Sequence, residues 1–221
     1  MTTKVFAVHT ATALVEPITS LFKEHLPDVK LNHIADDSLI QEVISAGGVT
    51  LAVRKRLIAY YFAAVDAGAD IIFNTCSSVG EIAAYARELI PVPILKIDDP
   101  MAIKATQLST KIGVIATLST TLSPTSNLIK KKAAASGEKI DLIEGLAEGA
   151  FEAMMSGNRE KHDSLILEAA QRIASRVDVI VLAQGSMARM EQLLAKETGK
   201  IVLSSPLLGV LGVKDFIRTK N

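Results

Sequence analysis

Cys76 is the only cysteine in the 221-residue chain, and it follows the apolar run Ile71-Ile72-Phe73 inside five small polar residues, Asn74 to Ser78. A helical pattern runs on from Val79 to Leu89. This reads as a buried parallel strand, a turn and a helix. Ligands of open α/β sheets bind outside the carboxyl ends of the strands. The start of the next helix offers free N–H groups and the positive end of a dipole. A thiol in such a corner is expected to have a lowered pKa and more thiolate character. The plainer alternative is a small buried hydrophobe, which suits a polar turn poorly.

Other residues of suitable type fall in corresponding turns. His9 follows the first strand, where it is either an acid–base group or a hydrogen-bonded residue that shapes the loop. Thr10, Thr75, Ser77, Ser78, Thr117, Thr120 and Ser186 all fall at carboxyl ends of strands. Each alone is explained by helix capping. As a set they suit a carboxylate or carbonyl oxygen, held by hydroxyls and helix-end N–H groups. His25, His33 and His162 read as surface or helix-end residues. Glycine-rich phosphate loops, His-Glu-x-x-His and clustered Cys/His ligands are absent from the sequence. The turns hold no lysine for a Schiff base, with Lys96 the nearest candidate.

The elements that position these residues occur twice. Ala69–Lys96 lies over Val177–Ser204 without a gap, so that Thr75-Cys76-Ser77-Ser78 meets Ala183-Gln184-Gly185-Ser186. Lys4–Thr10 lies over Lys111–Thr117, at an offset one residue different, and Pro17 meets Pro124. The duplication predicts an α/β fold of two pseudo-symmetric, doubly wound parallel-sheet lobes with the active site between them. Lobe one comprises residues 1–97 plus 205–221 and holds the Cys76 turn. Lobe two comprises residues 98–204 and holds the Thr117 and Gln184 turns.

Strands are expected at Val5–Val8, Val29–Ile34, Ile71–Phe73, Pro93–Ile97, Ile112–Ala116, Ile140–Ile143, Val179–Leu182 and Ile201–Leu203. Helices are expected between them, among them one capped by Thr50 and ended by Gly68, one from about Ser123 to Ala135, and one from Leu146 to Met155. The tail Pro206–Arg218 reads as a helix packing back on lobe one. Composition sets outer bounds. Hydrophobic residues make up 49% of the chain and formal net charge is zero, which leaves no footprint for nucleic acid or anionic membrane. Lys130-Lys131-Lys132 suits a solvated helix end. One cysteine, no apolar leader after Met1 and no run long enough to span a bilayer predict a soluble, cytoplasmic protein.

Asn74-Thr75-Cys76 after a buried strand resembles the first active-site motif of the aspartate/glutamate/hydantoin racemase superfamily. Ala116-Thr117-Leu118-Ser119-Thr120 resembles that family's second-lobe Ala-Thr-x-Gly-Thr loop, with Ser119 in place of glycine. Leu182–Met187 falls where the family carries Leu-Gly-Cys. The resemblance covers nearly the whole chain. It implies an isomerase without metal or organic cofactor, acting on a small carboxylate-containing substrate. One thiol from each lobe serves opposite faces of an acidic carbon. It also brings Asn74 into the site. Relatives on the scaffold include malonate decarboxylases and a maleate cis–trans isomerase.

The chain departs from the pattern at Gln184, where the second cysteine is expected. An amide is neither acid nor base near neutral pH. It can hydrogen-bond an enediolate oxygen, as can the N–H groups of Gly185 and Ser186. At the family's acidic position in the first turn stands His9, titratable near pH 7. His9 as second base, Cys76 alone as a one-base isomerase, decarboxylase or lyase, and a cleft kept only for binding all stay open. So do substrate identity and a homo-oligomeric state.

Overall fold

The computed structural model describes residues 2–220. The chain divides into two compact units, one from the chain up to Asp99 together with the segment from Pro206, the other Pro100–Ser205.

In lobe one the order is β1 (Lys4–His9), α1 (Val15–His25), β2 (Lys30–Ala35), α2 (Ser38–Ser45), α3 (Leu51–Asp66), β3 (Ile71–Asn74), α4 (Gly80–Ala86) and β4 (Ile94–Lys96). The four strands form one parallel sheet in the order β2-β1-β3-β4. The period of two along each strand sorts side chains to two cores. Phe6, Val8 and Ile72 pack with Leu39, Val43, Val53, Leu57 and Tyr61 of α2 and α3. Val5, Ala7, Ile71 and Phe73 face the other way and pack with Ile18 and Phe22 of α1. Central strand β3 is buried along its whole length, as its unbroken apolar run requires. Thr50 caps α3, its hydroxyl accepting from the Val53 N–H at 3.1 Å.

Lobe two repeats the plan. α5 (Asp99–Leu108) leads into β5 (Lys111–Ala116), α6 (Ser119–Ala135), β6 (Asp141–Leu146), α7 (Ala150–Met155), α8 (Arg159–Ala174), β7 (Val179–Leu182), α9 (Glu191–Thr198) and β8 (Ile201–Ser204). Its sheet order is β6-β5-β7-β8, again all parallel. Ile115, Ile180, Leu182 and Val202 pack with Ile166, Ala169, Ala170 and Ile173 of α8 and with Leu194 of α9. The last helix, α10 (Ser205–Lys220), returns to the first unit, where Val210 and Val213 join the core of Val5, Ile71 and Phe73. No helix among the described residues is long and apolar enough to cross a membrane.

Three local expectations are corrected. The stretch Leu146–Ala150 is not helical at its start: β6 runs through Leu146, and α7 begins at Ala150, after the left-handed Gly149. α6 starts at Ser119, four residues before the expected Ser123, so Ser119, Thr120 and Thr121 form its first turn. Pro124 is accommodated early in that helix, where its missing N–H removes a single bond. The helix after Cys76 is shorter than its pattern: a single 3-10 turn, Ser77–Val79, precedes α4.

Candidate active site

β3 carries the chain to Asn74, and the Thr75 N–H still pairs with the Val8 carbonyl at 3.1 Å, extending the β1–β3 ladder by one residue. The chain then turns, with Cys76 in extended conformation ahead of the 3-10 turn. Buried Asn74 braces this corner. Its Oδ1 accepts from the buried Tyr61 hydroxyl at 3.0 Å, and its Nδ2 donates to the Cys76 carbonyl at 2.9 Å. From Ile71 to Gly80 every residue is buried except Cys76, which is half-buried.

The sulfur accepts hydrogen bonds from the Thr10 hydroxyl, the N–H groups of Ser78 and Val79, and the Ser78 hydroxyl. These donors favour thiolate, but burial outweighs them and pushes the Cys76 thiol up from its ordinary value. The sequence-based expectation of a lowered pKa is therefore reversed. A polar sequence does not make a wet turn when its residues are spent on one another. The resting group is a neutral thiol with a thiolate-stabilising donor set already in place. Ser77, read as a ligand hydroxyl, is buried at the start of the 3-10 turn.

His9 is almost wholly buried beside this turn. Its Nδ1 lies 2.9 Å from Thr75 Oγ1 and its Nε2 lies 2.9 Å from His33 Nδ1. Burial, with the neighbouring His33, lowers its pKa to about 4. His9 is thus neutral at physiological pH, not titratable near 7 as its residue type suggests. Both of its ring nitrogens are committed within lobe one. His33, read from sequence as a surface or helix-end residue, is half-buried on β2. Strand register explains the pairing. His33 stands opposite Ala7, two residues before His9, so both imidazoles lie on one face of the sheet. His162, read the same way, is buried and bonded to Asp163 and Arg189.

Lys96 ends β4 opposite Asn74 and is buried. Its ammonium group pairs with Asp98 Oδ1 at 3.4 Å and Asp99 Oδ1 at 3.6 Å. The side chain passes over Gly80, where an added Cβ would come 2.8 Å from Lys96 Cε. The small residue opening α4 makes room for that cation beside the turn.

In lobe two the corresponding turns hold each other. Gln184 Oε1 accepts from the Thr117 N–H at 2.7 Å, and Gln184 Nε2 donates to Thr117 Oγ1 at 2.6 Å. This two-point clamp fixes the Thr117 hydroxyl as an acceptor and leaves its own hydrogen to donate. Thr120 Oγ1, in the first turn of α6, is buried without a hydrogen-bond partner. Gly185 opens a 3-10 turn running to Met190, and Ser186 is exposed. Among the described residues no group of three or more His, Cys, Asp or Glu is placed to hold a metal ion.

A sequence profile described as Asp/Glu/Hydantoin racemase matches residues 5–211. The chain belongs to the Asp/Glu/hydantoin racemase family. Solved racemases share its fold. Glutamate racemase from Francisella tularensis, determined in complex with D-glutamate, superposes with a TM-score of 0.78 at 11% identity, over 99% of this chain and 82% of that one. Allantoin racemase from Klebsiella pneumoniae gives 0.71 at 18% identity, over 99% and 89%. Picrophilus torridus aspartate racemase gives 0.68 at 12% identity, over 92% and 89%. No curated protein matches the chain in sequence. Amino-acid and hydantoin racemases are isomerases, and this member of the family is an enzyme of racemase type.

Tyr61 and His33 were not legible as site residues. Tyr61 sits in an apolar helical stripe, and only the Asn74 contact sets it apart. Pairing β1 with β2 in register is the one signal that would have joined His33 to His9.

Proposed function

We propose that this racemase-family enzyme moves a proton at the carbon beside a carboxylate or carbonyl of a small molecule, without metal or organic cofactor, and that Cys76 is the acid–base group. The observation that carries this reading is the Cys76 sulfur, half-buried in a turn that is otherwise closed and met by four hydrogen-bond donors. A neutral thiol is competent to give a proton, and the same donors stabilise the thiolate left behind. His9 serves through Thr75, Thr10 holds the sulfur, and Asn74 and Ser78 fix the turn. In lobe two, Thr117, Thr120, Gly185 and Ser186 offer hydroxyls and N–H groups to a carboxyl or carbonyl oxygen. The glutamate racemase bound to D-glutamate makes a small amino acid or a related carboxylate the first substrate class to try. The protein is proposed to work in the cytoplasm.

Gln184 favours a second reading on the same scaffold. Its amide is clamped to Thr117, so it supplies no second acid or base. One-thiol chemistry, as in a decarboxylase or lyase, then competes with racemisation. Incubation in D₂O with amino acids, hydantoins and malonates, followed by NMR and chiral chromatography, tests both. Deuterium at the α-carbon with inversion is the expected racemase result. Deuterium with retention, or loss of CO₂, selects the one-base reading. Absence of exchange, inversion and decarboxylation across the panel would overturn the enzymatic assignment of Cys76.

A further inference from the structure

We propose that Thr19, His33, His9 and Thr75 form a proton relay connecting a groove on lobe one with the Cys76 turn. Only its destination rests on the function proposed above.

The relay is a continuous line of short contacts. Thr19 Oγ1 lies 3.0 Å from His33 Nε2, His33 Nδ1 lies 2.9 Å from His9 Nε2, and His9 Nδ1 lies 2.9 Å from Thr75 Oγ1. A backbone carbonyl waits at each end: Val15 O is 2.8 Å from Thr19 Oγ1, and Val8 O is 3.1 Å from Thr75 Oγ1. Neutral imidazole carries one donor and one acceptor. Two neutral imidazoles between two hydroxyls can therefore be filled with hydrogens in two opposite senses. In one, Thr75 donates to His9, His9 to His33, His33 to Thr19, and Thr19 to Val15 O. In the other, Thr19 donates to His33, His33 to His9, His9 to Thr75, and Thr75 to Val8 O. Each sense makes four hydrogen bonds. Neither leaves a ring nitrogen unpaired, so neither is favoured by hydrogen-bond count.

Moving a proton along the line interconverts them. Starting in the second sense, a proton taken up by Thr19 from the groove lets it pass its own to His33 Nε2. His33 gives its Nδ1 hydrogen to His9 Nε2, His9 gives its Nδ1 hydrogen to Thr75, and Thr75 releases one to the occupant of the turn. One proton enters, one leaves, and the line is left in the first sense. Withdrawal of a proton from the turn runs the line backwards. A reaction that removes and then returns a proton alternates the two senses, and no ring has to flip.

The outer end is open and the inner end is closed. A groove of about 440 Å³ is lined by Phe22, Lys23, Leu26 and Leu31 together with Thr19 and His33. Thr75 and His9 are buried. Burial keeps both imidazoles uncharged, as the two-sense filling requires. A purely structural role has no need of a buried imidazole paired with a half-buried one where aliphatic side chains would pack without polar groups to satisfy.

The test uses full-length protein with ¹⁵N-labelled histidine. Long-range ¹H–¹⁵N NMR reads which ring nitrogen of His9 carries hydrogen, and its exchange with solvent is followed in wild type, Thr19→Val and His33→Phe. The relay predicts His9 nitrogens averaged between both tautomers in wild type. It also predicts ring-hydrogen exchange slowed by roughly tenfold or more in each variant, with backbone amide protection unchanged. A single fixed tautomer of His9, or exchange in both variants as fast as in wild type, would overturn it. These readouts come from resting protein and hold whether or not a substrate is found. On a substrate that exchanges, His33→Phe should also slow solvent deuterium uptake, whereas unchanged uptake would remove the Cys76 turn as the relay's destination.

Discussion

Cys76→Ser is expected to lower α-proton exchange on the true substrate by at least ~10²-fold, the lower end of what a general acid–base group contributes. Serine matches the thiol in shape and keeps the contacts of Thr10 and Ser78, so stability should change by no more than about 1 kcal/mol. What is lost is chemistry. An alcohol holds its proton far more tightly than a thiol does, and the donor set around the sulfur compensates only part of the burial it opposes. Steady-state exchange, with urea unfolding as the control, measures the two separately. Turnover that survives the change would take Cys76 out of the mechanism and shift the weight to His9, or to a protein that binds a carboxylate without acting on it.

The second large effect is structural. Gly209→Val should destabilise lobe one by about 3 kcal/mol or more, combining overpacking with displacement of a packed helix. Gly209 lies in the first half of α10, where an added Cβ would sit 2.7 Å from the Ile97 carbonyl oxygen, 2.8 Å from Ile97 Cγ1 and 3.0 Å from Ile97 Cα. Two of those atoms are backbone and belong to a buried residue just past β4, so they cannot swing aside. Relief requires α10 to lift. That uncovers Val210 and Val213 from Val5, Ile71 and Phe73, the core beneath the strand that carries the Cys76 turn. The helix-propensity gain of valine over glycine, roughly 0.4 kcal/mol, offsets little of this. For a chain of this size the melting temperature should fall by roughly 6–12 °C. Leu207→Ala, at an exposed position of the same helix, should change it little.

The fold was legible because the chain states it twice. The ungapped match of Ala69–Lys96 to Val177–Ser204 places β3 with its turn and β7 with its turn in equivalent positions, and the two sheets share one strand order. The Cys76 corner was legible for the same reason: an apolar strand ending in small polar residues leaves little choice of local structure. Electrostatics was not legible. The sign of the Cys76 shift depends on how far the turn is enclosed, and the titration of His9 depends on its burial and on a partner from a neighbouring strand. Both are set by packing between segments distant in sequence. Gln184 stands between these cases. Its departure from the family was plain in the sequence, but its grip on Thr117 needs the geometry of both turns.

Because the chain has a single cysteine, the central claim can be tested on unmutated protein. Methyl methanethiosulfonate is added in increments, the fraction of Cys76 carrying the methylthio group is read by intact mass, and α-proton exchange is measured on each sample before and after dithiothreitol. Exchange should fall in direct proportion to modified Cys76, substrate should protect, and reduction should restore activity in full. Fully modified protein that exchanges protons at the wild-type rate would contradict it.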